Sequence, residues 1–165
     1  MSFKSLTPAA LAVTLAVPAL AESIITVSDP YARVSTKMSK SGAAFMIIEN
    51  TGDTDDRLAD VRSEIAKRTE LHTHKADAEG NMQMLHVEEG FVLPAGGTHM
   101  LQRGGDHVMF MGLSRGLNPG DVVKVTLIFD EAGEREIGIP VQLERRPEHG
   151  GRKVEQKVLL HMVTP

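Results

Sequence analysis

The strongest constraint on this chain is how often its apolar runs are broken. Short runs rich in aliphatic and β-branched residues fall at 24–34, 43–50, 58–63, 68–74, 82–87, 91–93, 99–102, 107–113, 122–129 and 136–143. Between them stand Thr51-Gly52-Asp53, Glu79-Gly80-Asn81, Pro94-Ala95-Gly96-Gly97, Gly104-Gly105, Asn118-Pro119-Gly120-Asp121 and Ala132-Gly133. Gly supplies positive φ, Pro fixes φ, and Asn and Asp fold back on their own backbone, so such clusters end regular structure. No long stretch carries the 3.6-residue apolar period of a helix. Frequent short strands with this punctuation predict an antiparallel sandwich or barrel. Residues 122–129, dense in Val, Ile and Leu, are the most strand-like.

The two ends differ from this body. Lys4 precedes an apolar stretch from Leu6 to Leu20, and Ala19-Leu20-Ala21 has the small-x-small form of a cleavage site. Residues 1–21 are therefore expected to be a signal peptide cut after Ala21. The stretch is short of the ~20 apolar residues that span a bilayer, so no stable membrane insertion is expected. The resulting organisation is a signal peptide at 1–21, one β-domain at 22–143, and a flexible tail at 144–165. The product is expected in the periplasm, as a monomer.

Composition removes several functions. The chain has no Cys. That excludes disulfides, thiolate zinc sites, iron–sulfur clusters, cysteine nucleophiles and blue-copper centres within it. A net charge of −4 argues against nucleic acid as a partner. There is no His-Glu-x-x-His and no phosphate loop, so an enzyme is the least expected class. What stands out is nine Met and seven His in a chain with one Tyr, five Phe and no Trp.

These residues are concentrated. Between Leu71 and Met111 lie Met82, Met84, Met100, Met109 and Met111, with His72, His74, His86, His99 and His107. Taken singly, a Met is more often core filler and a His a solvated or hydrogen-bonded residue. Strand parity makes the group informative, because residues i and i+2 share a face. His72 and His74 share one face, Met82, Met84 and His86 another, and His107, Met109 and Met111 a third. Val108 and Phe110 lie opposite that third set and supply a core face. Thioether sulfur is soft and neutral and favours Cu(I), which imidazole binds as well. Such a set suits a copper carrier better than an electron-transfer centre. A secreted, metal-free β-sandwich interaction module is the rival reading.

The segments Glu70-Leu71-His72, Gly80-Asn81-Met82-Gln83-Met84, Leu93-Pro94-Ala95-Gly96-Gly97-Thr98 and Gly104-Gly105-Asp106-His107-Val108-Met109-Phe110-Met111-Gly112-Leu113 resemble the PCu(A)C family of periplasmic copper chaperones. The family motif is His or Met, ten residues, Met, twenty-one residues, then His-x-Met. Here each spacer is one residue longer, with room for the insertions in the loop 75–80 and near Glu88-Glu89-Gly90. The resemblance implies a cupredoxin-like, Greek-key all-β barrel or sandwich holding one Cu(I). Its ligands would be His72, Met84, His107 and Met109. His74 competes with His72, and Met82 with Met84. Met111 and Met82 are further candidates for transient ligands. The family implies delivery to the binuclear copper site of cytochrome c oxidase, alongside a Sco-like thioredoxin-fold protein. A copper buffer without a dedicated acceptor would have the same site. His149, His161 and Met162 could form a second, weaker copper site in the tail.

Overall fold

A computed structural model describes residues 22–145. The expected signal peptide, residues 1–21, and the tail candidates His149, His161 and Met162 lie outside the described residues. Ten strands form among the described residues, and no helix does. They are β1 (Ile25–Val34), β2 (Ser41–Asn50), β3 (Asp56–Arg62), β4 (Ala66–Ala76), β5 (Met82–His86), β6 (Phe91–Leu93), β7 (Thr98–Leu101), β8 (His107–Leu113), β9 (Val122–Phe129) and β10 (Glu134–Pro140). Each of the ten expected runs becomes a strand, with ends shifted by a few residues at most.

The strands divide into two antiparallel sheets. The larger has the order β1-β2-β8-β4-β5, with β7 also paired to β2; the smaller has the order β10-β9-β3-β6. Their facing sides enclose one core. Val123, Val125, Leu127 and Phe129 alternate inward along β9, and Val108, Phe110 and Leu113 point inward from β8. Ile48, Leu58, Leu71, Leu93 and Ile139 fill the space between. Burying a side chain of this size contributes about 1.5–3 kcal/mol, so the alternation itself sets which face of each strand looks in.

Polar anchors close the ends. Asp56 is buried and accepts from Ser23 Oγ at 2.7 Å and from the backbone N–H groups of Arg57, Glu131 and Ala132. Burial alone would raise its pKa. The Glu131, Ser23, Arg57 and Ala132 donors outweigh burial and hold it below the usual carboxylate value. Asn50 is also buried. Its side chain donates to the carbonyls of Thr54 and Leu93 and accepts from Gly52 N–H.

One irregularity shapes the functional face. β7 pairs with β2 from Met46 to Glu49, and β8 pairs with the same side of β2 from Ser41 to Ala44. The two strands therefore run end to end along β2, and residues 102–107 are inserted opposite Phe45 alone. The excursion is closed by Gln102 N–H to the Asp106 carbonyl at 2.8 Å and Gly105 N–H to the Gln102 carbonyl at 3.1 Å. Gly104 takes φ +82° there, a conformation that other residues adopt only with strain. The Gly104-Gly105 punctuation thus marks a loop within one long strand line rather than a turn between hairpin partners.

The first described residues of the expected tail are anchored. The Arg145 guanidinium lies 4.1 Å from the centre of the Tyr31 ring and pairs with Asp29, and its carbonyl accepts from Arg33 Nη1 at 2.7 Å. The boundary drawn at residue 144 therefore places one docked residue, Arg145, on the tail side.

Candidate metal centre

Register carries the separate sequence patterns onto one surface. β4 pairs with β5 so that His72 faces His86 and His74 faces Met84. β4 pairs with β8 so that His72 faces His107 and Glu70 faces Met109. Directly opposed residues share a face. His72, His74, Met84, His86, His107 and Met109 thus stand together on the outward face of the larger sheet. The three faces read from parity in the sequence are one face. Val108 and Phe110 lie on the other side and are fully buried.

The β4–β5 hairpin that delivers Met84 is tightly built. Asp77 N–H donates to the Asn81 carbonyl, and the Asp77 carboxylate accepts from Glu79 N–H, Asn81 N–H and the amides of Asn81 and Gln83. β5 itself is exposed along its length, and Met84 is 45% exposed.

The rings are locked by acceptors that cannot donate. His74 Nδ1 lies 3.2 Å and His107 Nδ1 3.0 Å from the same carbonyl, that of Gly105. A carbonyl only accepts, so both rings carry the proton on Nδ1 and leave the Nε2 lone pair free. The shared acceptor holds the rings stacked, 4.9 Å between centres and 26° between planes. His72 Nε2 lies 3.0 Å from Glu70 Oε2. Its hydrogen bond with His72 is the main cause that keeps the Glu70 carboxyl below its usual pKa, assisted by Arg68. An ionised carboxylate accepts, so His72 donates from Nε2 and keeps the Nδ1 lone pair. His72 Nδ1 and His107 Nε2 are buried and have no partner. A buried acceptor without a partner costs about 1–3 kcal/mol, and such atoms in a native fold call for a ligand or another reason.

Burial keeps the His107 ring uncharged. Burial lowers the His107 pKa; the Gly105 carbonyl opposes this, and the neighbouring His74 and His72 rings reinforce it. The imidazole therefore stays unprotonated, with its lone pair available, into mildly acid solution. His107 is 1% exposed, packed beside the rings of Phe45, His72 and His74. The parity argument placed it on the less apolar face, which is correct, yet the ring is enclosed because the 102–107 excursion and neighbouring rings cover it.

A cleft of about 390 Å³ opens on this face, lined by His74, Met84, His107 and Met109 together with Phe45, Arg33 and Arg103. His72 lies beneath, in ring contact with both His107 and His86. The structure thus brings together all four residues of the expected ligand set and also its competitor, His74. Met111 is engaged elsewhere: its sulfur accepts from the Arg68 guanidinium at 3.5 Å, an arrangement that disfavours a cation there. Met82 and Met100 are exposed on the surface, and neither lines the cleft. Asp106 does not serve His107. Its carboxylate lies 3.0 Å from His99 instead. Among the described residues no group of three or more His, Asp or Glu is arranged to hold a metal, so an ion here would need thioether sulfur.

Sequence reasoning missed the Gly105 carbonyl and the Glu70–His72 contact. Glu70 is recoverable in principle, because it lies two residues before His72 on the same strand face. The Gly105 carbonyl is a backbone atom and leaves no mark in residue type.

A cupredoxin-like sandwich with imidazole and thioether gathered on one face is a domain of the PCu(A)C type. Residues 25–141 match the model of LpqE-like proteins, a family that carries a lipoprotein name, and the chain belongs to that family. It is 34% identical over 100 residues to Lxx21020 of Leifsonia xyli subsp. xyli (strain CTCB07), which also bears a lipoprotein name. That match covers 61% of this chain and spans 60% of the length of the curated relative. Among solved structures, the solution structure of Cu(I)-DR1885 from Deinococcus radiodurans is similar at 28% identity and TM-score 0.58, covering 76% of this chain and 83% of that one. A copper-bound PCuAC domain from PmoF2 shares the fold at 24% identity and TM-score 0.59, covering 72% of this chain and 92% of that one.

Proposed function

We propose that this protein is an exported Cu(I) carrier. The observation that carries the reading is the arrangement of His72, His74, His107, Met84 and Met109 on one face, with imidazole lone pairs left free by hydrogen bonds at the opposite ring nitrogens. Fixing the tautomer from behind is how metal-binding imidazoles are oriented. Soft, neutral donors with no carboxylate lining the cleft favour Cu(I) over harder ions. The copper-bound relatives of the same fold support this choice of cargo. His107, Met109 and Met84 are assigned as ligands, with His72 or His74 as the fourth.

Thioethers need no deprotonation and form weaker bonds than thiolates. A thiolate acceptor can therefore take the ion by stepwise exchange, with copper remaining Cu(I) throughout. The cargo is copper and the protein needs no resident cofactor. We assign delivery to the binuclear copper site of cytochrome c oxidase, alongside a Sco-like protein, on the strength of the motif. The lipoprotein-named family supports export, and the periplasm is the compartment proposed. The 165 residues hold no Cys, so no lipid attachment within them is proposed.

Anaerobic Cu(I) titration against a competing chelator tests the carrier. One Cu(I) per chain is expected, with affinity lost in His107→Ala and Met109→Ala. Unchanged affinity in both variants overturns the reading. Transfer from the loaded protein to a metal-free oxidase copper domain tests the destination; no transfer leaves a copper buffer.

A further inference from the structure

We propose that the rim of the cleft is a docking face for an acidic protein surface, and that bound copper strengthens the docking. The inference rests on the Cu(I) reading and names the chemistry of the partner. Arg33 and Arg103 line the cleft, and no Asp or Glu does. The chain as a whole carries a net charge of −4, so this face runs against the sign of the molecule. Five other described arginines are paired: Arg57 with Asp130, Arg62 with Glu134, Arg68 with Glu70, Arg115 with Asp121 and Arg145 with Asp29, while Arg135 stands exposed on the smaller sheet, away from the cleft. Among the described residues Arg33 and Arg103 meet no carboxylate. Arg33 Nη1 donates to the Arg145 carbonyl, which orients the guanidinium without cancelling its charge. Arg103 is exposed on the 102–107 excursion.

Carboxylates in the surrounding strands and loop are already committed: Glu70 to Arg68 and His72, Asp106 to His99, and Asp29 to Arg145. Guanidinium forks bind carboxylates bidentately, which makes an acidic protein surface the fitting partner. The ligands assigned to copper are neutral imidazole and thioether. The ion therefore brings its full positive charge to the face, and two uncompensated charges become three. Release of the ion removes that charge, so the emptied carrier dissociates more readily.

Small acceptors of opposite charge test this. Mercaptosuccinate carries two carboxylates and cysteamine one ammonium, and each offers a thiol. In both cases the copper–thioether and copper–imidazole bonds break, a copper–sulfur bond to the acceptor forms, the thiol proton goes to solvent, and copper remains Cu(I). The quantity to measure is the ratio of extraction rates from the loaded protein, mercaptosuccinate over cysteamine. Charge steering acts over about 30 Å at 0.01 M salt and about 3 Å at 1 M. The ratio is expected to fall at least about threefold from 0.01 M to 1 M salt, and by a similar factor in Arg103→Glu at low salt. A ratio unmoved by salt and by Arg103→Glu overturns the proposal. Binding of a hexaglutamate peptide, followed by NMR, separates the parts. Tighter binding to the loaded form, weakened by Arg103→Glu, supports the proposal; equal binding by loaded and empty protein overturns the copper dependence. Failure to take up Cu(I) at the loading step would refute the carrier reading. Peptide binding by the empty protein that Arg103→Glu abolishes would even then support the docking face.

Discussion

The two sheets have similar inward faces and opposite outward ones. On the smaller sheet, outward polar groups satisfy each other across strands: Lys124 with Glu136 at 3.0 Å, Arg62 with Glu134 at 2.6 Å, and Arg57 with Asp130 at 2.7 Å. A depression of about 710 Å³ there is larger than the cleft on the opposite sheet, yet it is lined by Arg62, Ser63, Glu64, Ile65, Val122 and their neighbours, with no His or Met. On the larger sheet, the polar groups are held from behind and left open in front: the Gly105 carbonyl and Glu70 fix three rings, and two buried ring nitrogens have no partner. One surface is built to be finished by itself, the other to be finished by a ligand. Cavity size does not tell them apart; the donor chemistry does. Natural folds break local rules mostly where function requires it.

The contrast is most directly broken at His107. His107→Leu keeps approximate volume and removes the buried lone pair. Cu(I) affinity is expected to fall at least about 100-fold, or about 2.8 kcal/mol. Stability should stay level or rise by up to about 1 kcal/mol, because an unpartnered buried acceptor is removed. A chelator competition and a urea melt on the same variant measure both. A variant that loses stability while keeping copper would make His107 a structural residue and erase the distinction between the sheets.

Asp56 is the converse test. It ties Ser23 and the β9–β10 turn to β3 through three hydrogen bonds and accepts a fourth from its neighbour Arg57, away from the residues that line the cleft. Asp56→Ala is expected to cost about 2 kcal/mol of folding stability, since charge-assisted bonds are lost and buried donors are stranded. Cu(I) affinity of the folded protein should be unchanged. The pH dependence has a definite sign. The folded-state pKa is depressed, so the stabilisation is fully present above the unfolded carboxylate pKa of about 3.9. It is lost as pH falls from there through the folded value. The parent should therefore lose its advantage over the variant in urea melts as the pH falls below about 4, and a constant difference would count against the carboxylate's role.

How much of this was legible in residue types alone follows from the same contrast. All ten strands could be placed, because two-residue alternation and turn residues act locally. Residue types and parity gave the Met and His cluster as a whole; the set His72, Met84, His107 and Met109 came only from the family resemblance. That His72, His107 and His86 line up, and that His74 opposes Met84, depends on which strands neighbour each other, and β4 lies between β8 and β5, strands distant in sequence. The enclosure of His107 depends on an excursion that parity reads as an ordinary turn. The cationic rim escaped notice because Arg33 lies on β1 and Arg103 on the excursion, and a net negative charge concealed both.

Glu70 sharpens the picture at intermediate size. Glu70→Gln keeps the side-chain length and an acceptor oxygen for His72 Nε2–H but loses the charge. An outer hydrogen-bond partner of a metal-binding imidazole is worth about 10–100-fold in affinity, and the lower end, about tenfold, is expected here because the bond is weakened rather than removed. No change would leave His74, not His72, as the imidazole that completes the site, since His74 is held by Gly105 and not by Glu70.

The mildest perturbation is at the other face. Lys124 and Glu136 are both largely exposed, and water screens their attraction. Lys124→Gln, Glu136→Gln and the double variant form a cycle whose coupling should be about 0.5 kcal/mol or less in urea melts, shrinking with added salt. Copper binding should be indifferent to all three. The small value matters to the comparison. Cross-strand ion pairs on this face would then be a solvated finish over a sheet already held by its core, and the open lone pairs opposite would be affordable because that same core supplies the stability they cost. A coupling well above 1 kcal/mol would instead make the charged face a structural support and shift the balance between the two sheets.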